Sequence, residues 1–170
     1  MKVQVEFDPS QIAEYRLIGY ETRALNREDF NNDAVDAGDL GAGHTVTALY
    51  EVTPVGSPAR LTDPLRYGAQ TVADERNELG FLKLRYKEPG ADSSQLIETP
   101  ILRDSTPSTE AQFATAIAGF GQILRGNSYL GEWSMGDAID LANKNKGADP
   151  FGYRAEAIQL MRLADSLSRN

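Results

Sequence analysis

Between Arg27 and Gly43 the chain carries Glu28, Asp29, Asp33, Asp36 and Asp39 with no Lys or Arg among them, and Gly38, Gly41 and Gly43 at its end. Carboxylates gathered without a counter-cation are the oxygen donors that a hard divalent ion takes. Asp29-x-Asn31-x-Asp33 has the spacing that opens a calcium loop, so Asp29, Asn31, Asp33, Asp36 and Asp39 are the candidate metal ligands and calcium the candidate ion. The loop departs from an EF-hand at two places, with Ala34 where Gly is needed and Leu40 where a bidentate Glu is needed. The competing reading is a solvated loop whose Asp and Asn side chains cap its own turns. The glycines fit backbone turn geometry far better than a phosphate loop: no Lys-Ser/Thr follows them, the surrounding charge is negative, and a strand pattern rather than a helix comes next.

Other chemistry is thinly represented. His44 is the sole histidine, which removes two-histidine mechanisms and most metal-ligand sets, and no Gly-x-Ser-x-Gly turn offers it a nucleophile. Its ordinary role is a strand-end ring bonded to backbone or solvent. Nothing selects a glycosidase pair from 25 acids. Trp133, Tyr129 and Tyr153 flank the helix connections, where they either present an aromatic surface to a sugar or peptide or cover a junction between layers.

With 170 residues, 41% of them hydrophobic, the chain is long enough to bury a core. It has no cysteine, hence no disulfide framework or thiolate chemistry, and the redox character of its compartment is left open. The net charge is −8, which disfavours nucleic acid and anionic lipid as partners. Residues 1–104 hold 18 acids and 11 bases, whereas residues 105–170 hold 7 and 6. The acidity belongs to the first part. No apolar run is long enough to span a bilayer, so this chain is not expected to insert directly.

The elements that must position these residues fall into two blocks. Val3, Val5 and Phe7 alternate as a strand that Asp8-Pro9 stops. Tyr15 to Glu21 and Thr45 to Thr53 alternate likewise, the second with Val46, Ala48, Tyr50 and Val52 on one face. Residues 54–78, with three prolines, read as a surface excursion; Phe81 to Lys87 resumes the strand period and Leu96 to Glu98 is a short further strand. After Pro100 the period becomes helical. Thr106-Pro107 supplies an N-cap and first-turn Pro; Phe113, Ile117, Phe120 and Leu124 form the stripe, with Gln122 on another face, and Gly126 stops the helix. Ser134 to Asp137 has the form of a capping box for a second helix closed by Gly147. Asp149-Pro150 starts a third, with Tyr153, Ala157, Leu160, Met161, Ala164 and Leu167 as its apolar stripe. Strands segregated from helices predict an α+β fold, an antiparallel β-sheet or partial β-sandwich (residues 1–104) followed by a C-terminal three-helix layer (residues 105–170). A chain that opens inside a strand and has four or five strands is expected to be one domain, residues 1–170, cut from a longer protein, with an edge left for other strands to complete.

Tyr15-Arg16-Leu17-Ile18-Gly19-Tyr20-Glu21, Asp29-Phe30-Asn31, the string Asp36 to Glu51, Phe113-Ala114 through Leu124-Arg125, and Gly152-Tyr153-Arg154-Ala155-Glu156 resemble the domain that follows the von Willebrand factor type A module in certain bacterial envelope lipoproteins. The resemblance covers nearly the whole chain. It implies a carboxyl-terminal part of a protein anchored in the cell envelope, with the type A module and an upstream segment as intramolecular partners. The family's metal chemistry resides in the neighbouring module, which holds a divalent ion through Asp-x-Ser-x-Ser; that motif is not in this chain. The expected function is therefore a non-enzymatic scaffold or interaction domain, with a further protein partner allowed. The alternative is a small-ligand or carbohydrate-binding module. A scaffold would show apolar surface at a sheet edge or helix face, and a ligand module a concave pocket with convergent polar groups.

Overall fold

The computed structural model describes residues 1–19, 24–63, 77–126 and 128–168. They form two compact units, Met1–Ser105 and Thr106–Asn170. All strands lie in the first and all α-helices in the second, so the fold class is α+β as the two periods predict.

The first unit holds β1 (Lys2–Phe7), β2 (Ile12–Ile18), β3 (Leu49–Pro54), β4 (Glu78–Tyr86) and β5 (Gln95–Leu102). They make an antiparallel three-stranded sheet in the order β1-β4-β5 and an antiparallel pair, β2-β3. Register decides the faces, because residues directly opposite each other point the same way. Val3 and Val5 stand opposite Leu84 and Leu82, which stand opposite Ile97 and Thr99 on the far side, so one face of the sheet is mainly aliphatic. Phe7 stands opposite Gly80. A Cβ at Gly80 would overlap the Glu6 carbonyl oxygen and press on Phe7, so glycine lets the two strands approach. Asp8 turns the chain out of β1: its Oδ1 accepts from the backbone N–H of Ser10 at 2.8 Å and from the Ser10 hydroxyl at 2.7 Å. The Phe7 ring then meets Tyr15 at 4.9 Å and Tyr50 at 5.5 Å between centroids, linking the two sheets.

Two strands differ from the sequence expectation. The second begins earlier, at Ile12, and its expected continuation over Tyr20 and Glu21 lies outside the described residues. Thr45 to Ala48 are not strand at all; β3 begins at Leu49, and Val46 is 58% exposed rather than facing a core. A strand extends only as far as its partner does. Among the described residues the ladder ends at Ile18 opposite Leu49, and Gly19 beside it takes a φ of +75°. Among the described residues of this unit, Ile12 and Phe30 are the buried apolar side chains.

The second unit holds α1 (Thr109–Leu124), α2 (Met135–Lys144) and α3 (Tyr153–Ser168). The cap of α1 is Ser108, not Thr106: its hydroxyl accepts from the Ala111 N–H at 3.1 Å, leaving Pro107 just outside the helix. The Ser134 to Asp137 capping box forms as the spacing predicts, with the Ser134 N–H reaching the Asp137 carboxylate at 2.8 Å and the Asp137 N–H reaching the Ser134 hydroxyl at 3.2 Å. Asn145 rather than Gly147 closes α2, donating through both backbone and side chain to the Leu141 carbonyl. Asp149 caps α3 from four residues before its first turn, accepting from the N–H groups of Arg154 and Ala155. Arg154 in turn donates to the Lys146 carbonyl at 2.9 Å, pairs with Glu110 of α1, and lies over the Phe113 ring at 4.9 Å.

The core of this unit is built on Ala116, Ala138, Ala142, Ile158 and Met161, with Phe113, Ile117, Phe120 and Trp133 packed around them. Small residues at the centre let the helices approach, and larger ones fill the margins. Two expectations about phase are corrected here. Gln122, placed on an outer face, is 4% exposed, while Leu124, placed in the stripe, is 62% exposed. On α3 Met161 is buried as the stripe predicts, but its buried companion is Ile158, and Tyr153, Leu160 and Leu167 are all more than half exposed. Two apolar stripes run along α3, and the helix buries the smaller-residue one.

Two glycines of α1 supply an internally controlled test. A Cβ at Gly119 would overlap the Trp133 ring, and one at Gly121 meets nothing within 4 Å. Gly119→Ala is expected to lower stability by about 1 to 3 kcal/mol through overpacking, and Gly121→Ala to raise it by about 0.5 to 1 kcal/mol through helix propensity. Chemical denaturation of the two variants checks the opposite signs.

Candidate functional site

The acidic connection is the segment whose residue types most resemble a site, and its geometry follows from the strand it lies against. It opens with a 3-10 turn, Arg27–Asn31, whose Phe30 is buried. The Arg85 guanidinium of β4 lies 5.7 Å from the Phe30 ring centroid. From β1, the Lys2 ammonium donates to the carbonyls of Asp29 at 2.8 Å and Asn32 at 2.5 Å. Arg85 also reaches the Asn31 side-chain oxygen at 3.2 Å and the Ser94 hydroxyl at 2.7 Å; Lys87 donates to the Asp33 carbonyl at 2.9 Å. Bases on β1, on β4 and just past the end of β4 thus hold an acidic loop through its carbonyls and amides.

The candidate ligands are occupied in different directions. The Asp29 carboxylate accepts from the Asn26 amide at 3.1 Å, and Asp33 accepts from the Ser94 N–H at 3.1 Å. Asp36 accepts from the N–H of Ala37 at 2.8 Å, the turn-capping geometry of a short polar side chain. Asp39 is exposed. Among the described residues, no three His, Asp or Glu side chains converge so as to hold a metal ion. His44 is exposed and outside any strand, with Nδ1 3.2 Å from the Ala42 carbonyl oxygen. Trp133 packs on the helical core, while Tyr153 is 72% exposed beside Phe151, their centroids 6.1 Å apart.

Beside the loop is a cleft of about 880 Å³, walled by Met1 and Lys2, by Asp33 to Gly41, and by Leu84 to Ala91 with Ser94 and Ile97. Hydrogen bonds from the Ser94 side chain and N–H hold the Asp33 carboxyl below its ordinary value, with Lys87 and Arg85 adding attraction. The same direction holds for Glu14 on Thr62 and Leu61, Glu110 on Arg154, Asp137 on Ser134, and Asp149 on the amides of Ala155 and Arg154. Each is stabilised as an anion that accepts hydrogen bonds, the opposite of the raised value that suits a general acid.

Sequence reasoning singled out the acids of this segment and missed Lys2, Arg85, Lys87 and Ser94, which fix it. A signal was present. Lys83, Arg85 and Lys87 alternate along one strand pattern and so share one face, the natural counterpart of an acidic segment. What the sequence lacked was the pairing that brings β1 and β4 together.

A family model described as "Uncharacterized protein YfbK, C-terminal" matches residues 1–167. The chain belongs to that family. It is 45% identical over 172 residues to the Escherichia coli (strain K12) protein named "Uncharacterized protein YfbK". That match takes in 99% of the chain and 30% of the relative, so the chain spans under a third of the length of the YfbK protein it matches. No solved structure matches it. Nor is any helix among the described residues of this YfbK-family domain long and apolar enough to cross a membrane.

The lowered carboxyls fix the sign of the pH dependence. A group whose folded pKa lies below its unfolded value contributes stability above the unfolded pKa and loses it as pH falls through the folded one. The melting temperature is therefore expected to hold from neutrality to about pH 5 and to fall as pH drops through and below about 4, the ordinary carboxylate range. Asp33→Asn should flatten part of that acid limb and speed amide exchange over residues 32–36. A melting temperature that rises on acidification would contradict these assignments.

Proposed function

We propose that this domain is a non-enzymatic scaffold that supports an adjacent von Willebrand factor type A module within one envelope lipoprotein. The reading rests on the sheet unit. Residues Met1–Ser105 bury two apolar side chains among those described, Ile12 and Phe30, while Val3, Leu96 and Ile97 are each more than 40% exposed. A sheet of this kind gains its missing burial from a neighbour, and the nearest neighbour in effective concentration is the rest of the same polypeptide. In this arrangement the divalent ion belongs to the type A module, and the acidic loop here is turn chemistry fastened to β1 and β4. Membrane attachment comes from the parent lipoprotein rather than from this domain.

A small-ligand or carbohydrate-binding role is the second reading, favoured by the cleft of about 880 Å³ beside the acidic loop, a volume within the range of ligand sites. Against it, Lys2, Arg85, Lys87 and Asp33 at its walls are engaged with neighbouring groups of the protein.

The test is calorimetric titration of this chain against the separately produced remainder of its polypeptide. Saturable binding with a negative heat-capacity change, the mark of apolar burial, is the expected result. Absence of binding, together with a sugar or small molecule that raises the melting temperature, would overturn the scaffold in favour of the ligand module.

A further inference from the structure

Besides its buried line, α3 exposes Leu160 at 54%, Leu163 at 55%, Leu167 at 65% and Tyr153 at 72%. Spacings of three, four and seven put all four side chains on one side of the helix. Glu156 falls on the same side, between Tyr153 and Leu160, and Arg162 lies on the opposite side, so the unbroken part of the stripe is Leu160, Leu163 and Leu167. Single exposed leucines are ordinary; three in an unbroken line on a 16-residue helix mark a contact surface.

We infer that this stripe of α3 is the seat of an apolar helix or strand face from the part of the polypeptide outside these 170 residues. The inference rests on the scaffold reading and names a surface for it. Two observations choose the occupant. The YfbK relative has 70% of its length outside the match, since 30% is covered, so a polypeptide of this family carries ample chain to fold back. Size excludes the obvious rival, a second copy. A helix of 16 residues is about 24 Å long and about 10 Å across, so two copies meeting through it would bury on the order of 500 Å², well short of the roughly 1,200 Å² of stable association. A tethered partner does not face that threshold, because linkage supplies an effective concentration of about millimolar. The stripe suits an intramolecular contact and is too small for an intermolecular one.

The chain has no cysteine, so an introduced thiol reports accessibility. Leu163→Cys and, as a control on the opposite side of the helix, Arg162→Cys are made both in the full-length polypeptide and in this chain, and maleimide labelling is followed peptide by peptide. Leu163→Cys is expected to label at least about tenfold more slowly in the full-length protein than in this chain, and Arg162→Cys equally fast in both. Equal rates for Leu163→Cys would overturn the proposal. So would protection that grows with protein concentration alongside a dimer in sedimentation, which would assign the stripe to a second copy. If the calorimetric partners bind and Leu163→Cys still reacts freely, the scaffold stands and α3 is not its contact; if they do not bind, the scaffold itself falls.

Discussion

Shortage of buried apolar surface among its described residues is the constraint on which the sheet unit depends. Its strands hold by backbone pairing, by the Phe7 ring against Tyr15 and Tyr50, and by polar fastenings from Lys2, Arg85 and Lys87. Such contacts give register and direction. They contribute little net free energy each, because every hydrogen bond made in folding replaces one to water. Burial is the term that favours folding most, and among the described residues of this unit the buried apolar side chains are Ile12 and Phe30. The mainly aliphatic face of Val3, Val5, Leu82, Leu84 and Ile97 follows from the register, and Val3 and Ile97 on it are exposed.

The helical unit solves the same problem differently. Alanines at its centre bring helices close enough for Trp133 to fill the space above Gly119, and Arg154 ties the start of α1 to the loop before α3. Its core is small but closed. What is left over is periodic: α3 has one stripe buried in its own unit and another exposed.

Much of this was legible in the residues where a local rule decides. The Ser134 to Asp137 box, the Asp8 turn, Gly126 after α1 and the strand periods of Val3 to Phe7 and Phe81 to Lys87 all act within a few residues, and each forms. Where a distant partner decides, the sequence was ambiguous. Thr45 to Ala48 alternates as well as any strand, yet among the described residues the ladder stops at Ile18 opposite Leu49. Periodicity put Met161 on the apolar stripe of α3, where it is buried, but it put Leu160 and Leu167 there too and missed Ile158, since an apolar stripe looks alike whether its own unit or another covers it. The acidic loop failed in the same way: its carboxylates are visible in sequence, whereas the bases and Ser94 that fasten it lie more than fifty residues further on or at the amino terminus.

The central claim is that the domain is completed by the polypeptide to which it belongs. Amide hydrogen exchange measured on this chain and on the full-length protein tests it most directly, since burial of an open sheet and helix slows local opening. The account predicts that β1, β5 and α3 gain protection in the full-length protein while α1 and α2 change little. Identical exchange in both, strand by strand and helix by helix, would contradict it and leave these residues a self-sufficient domain.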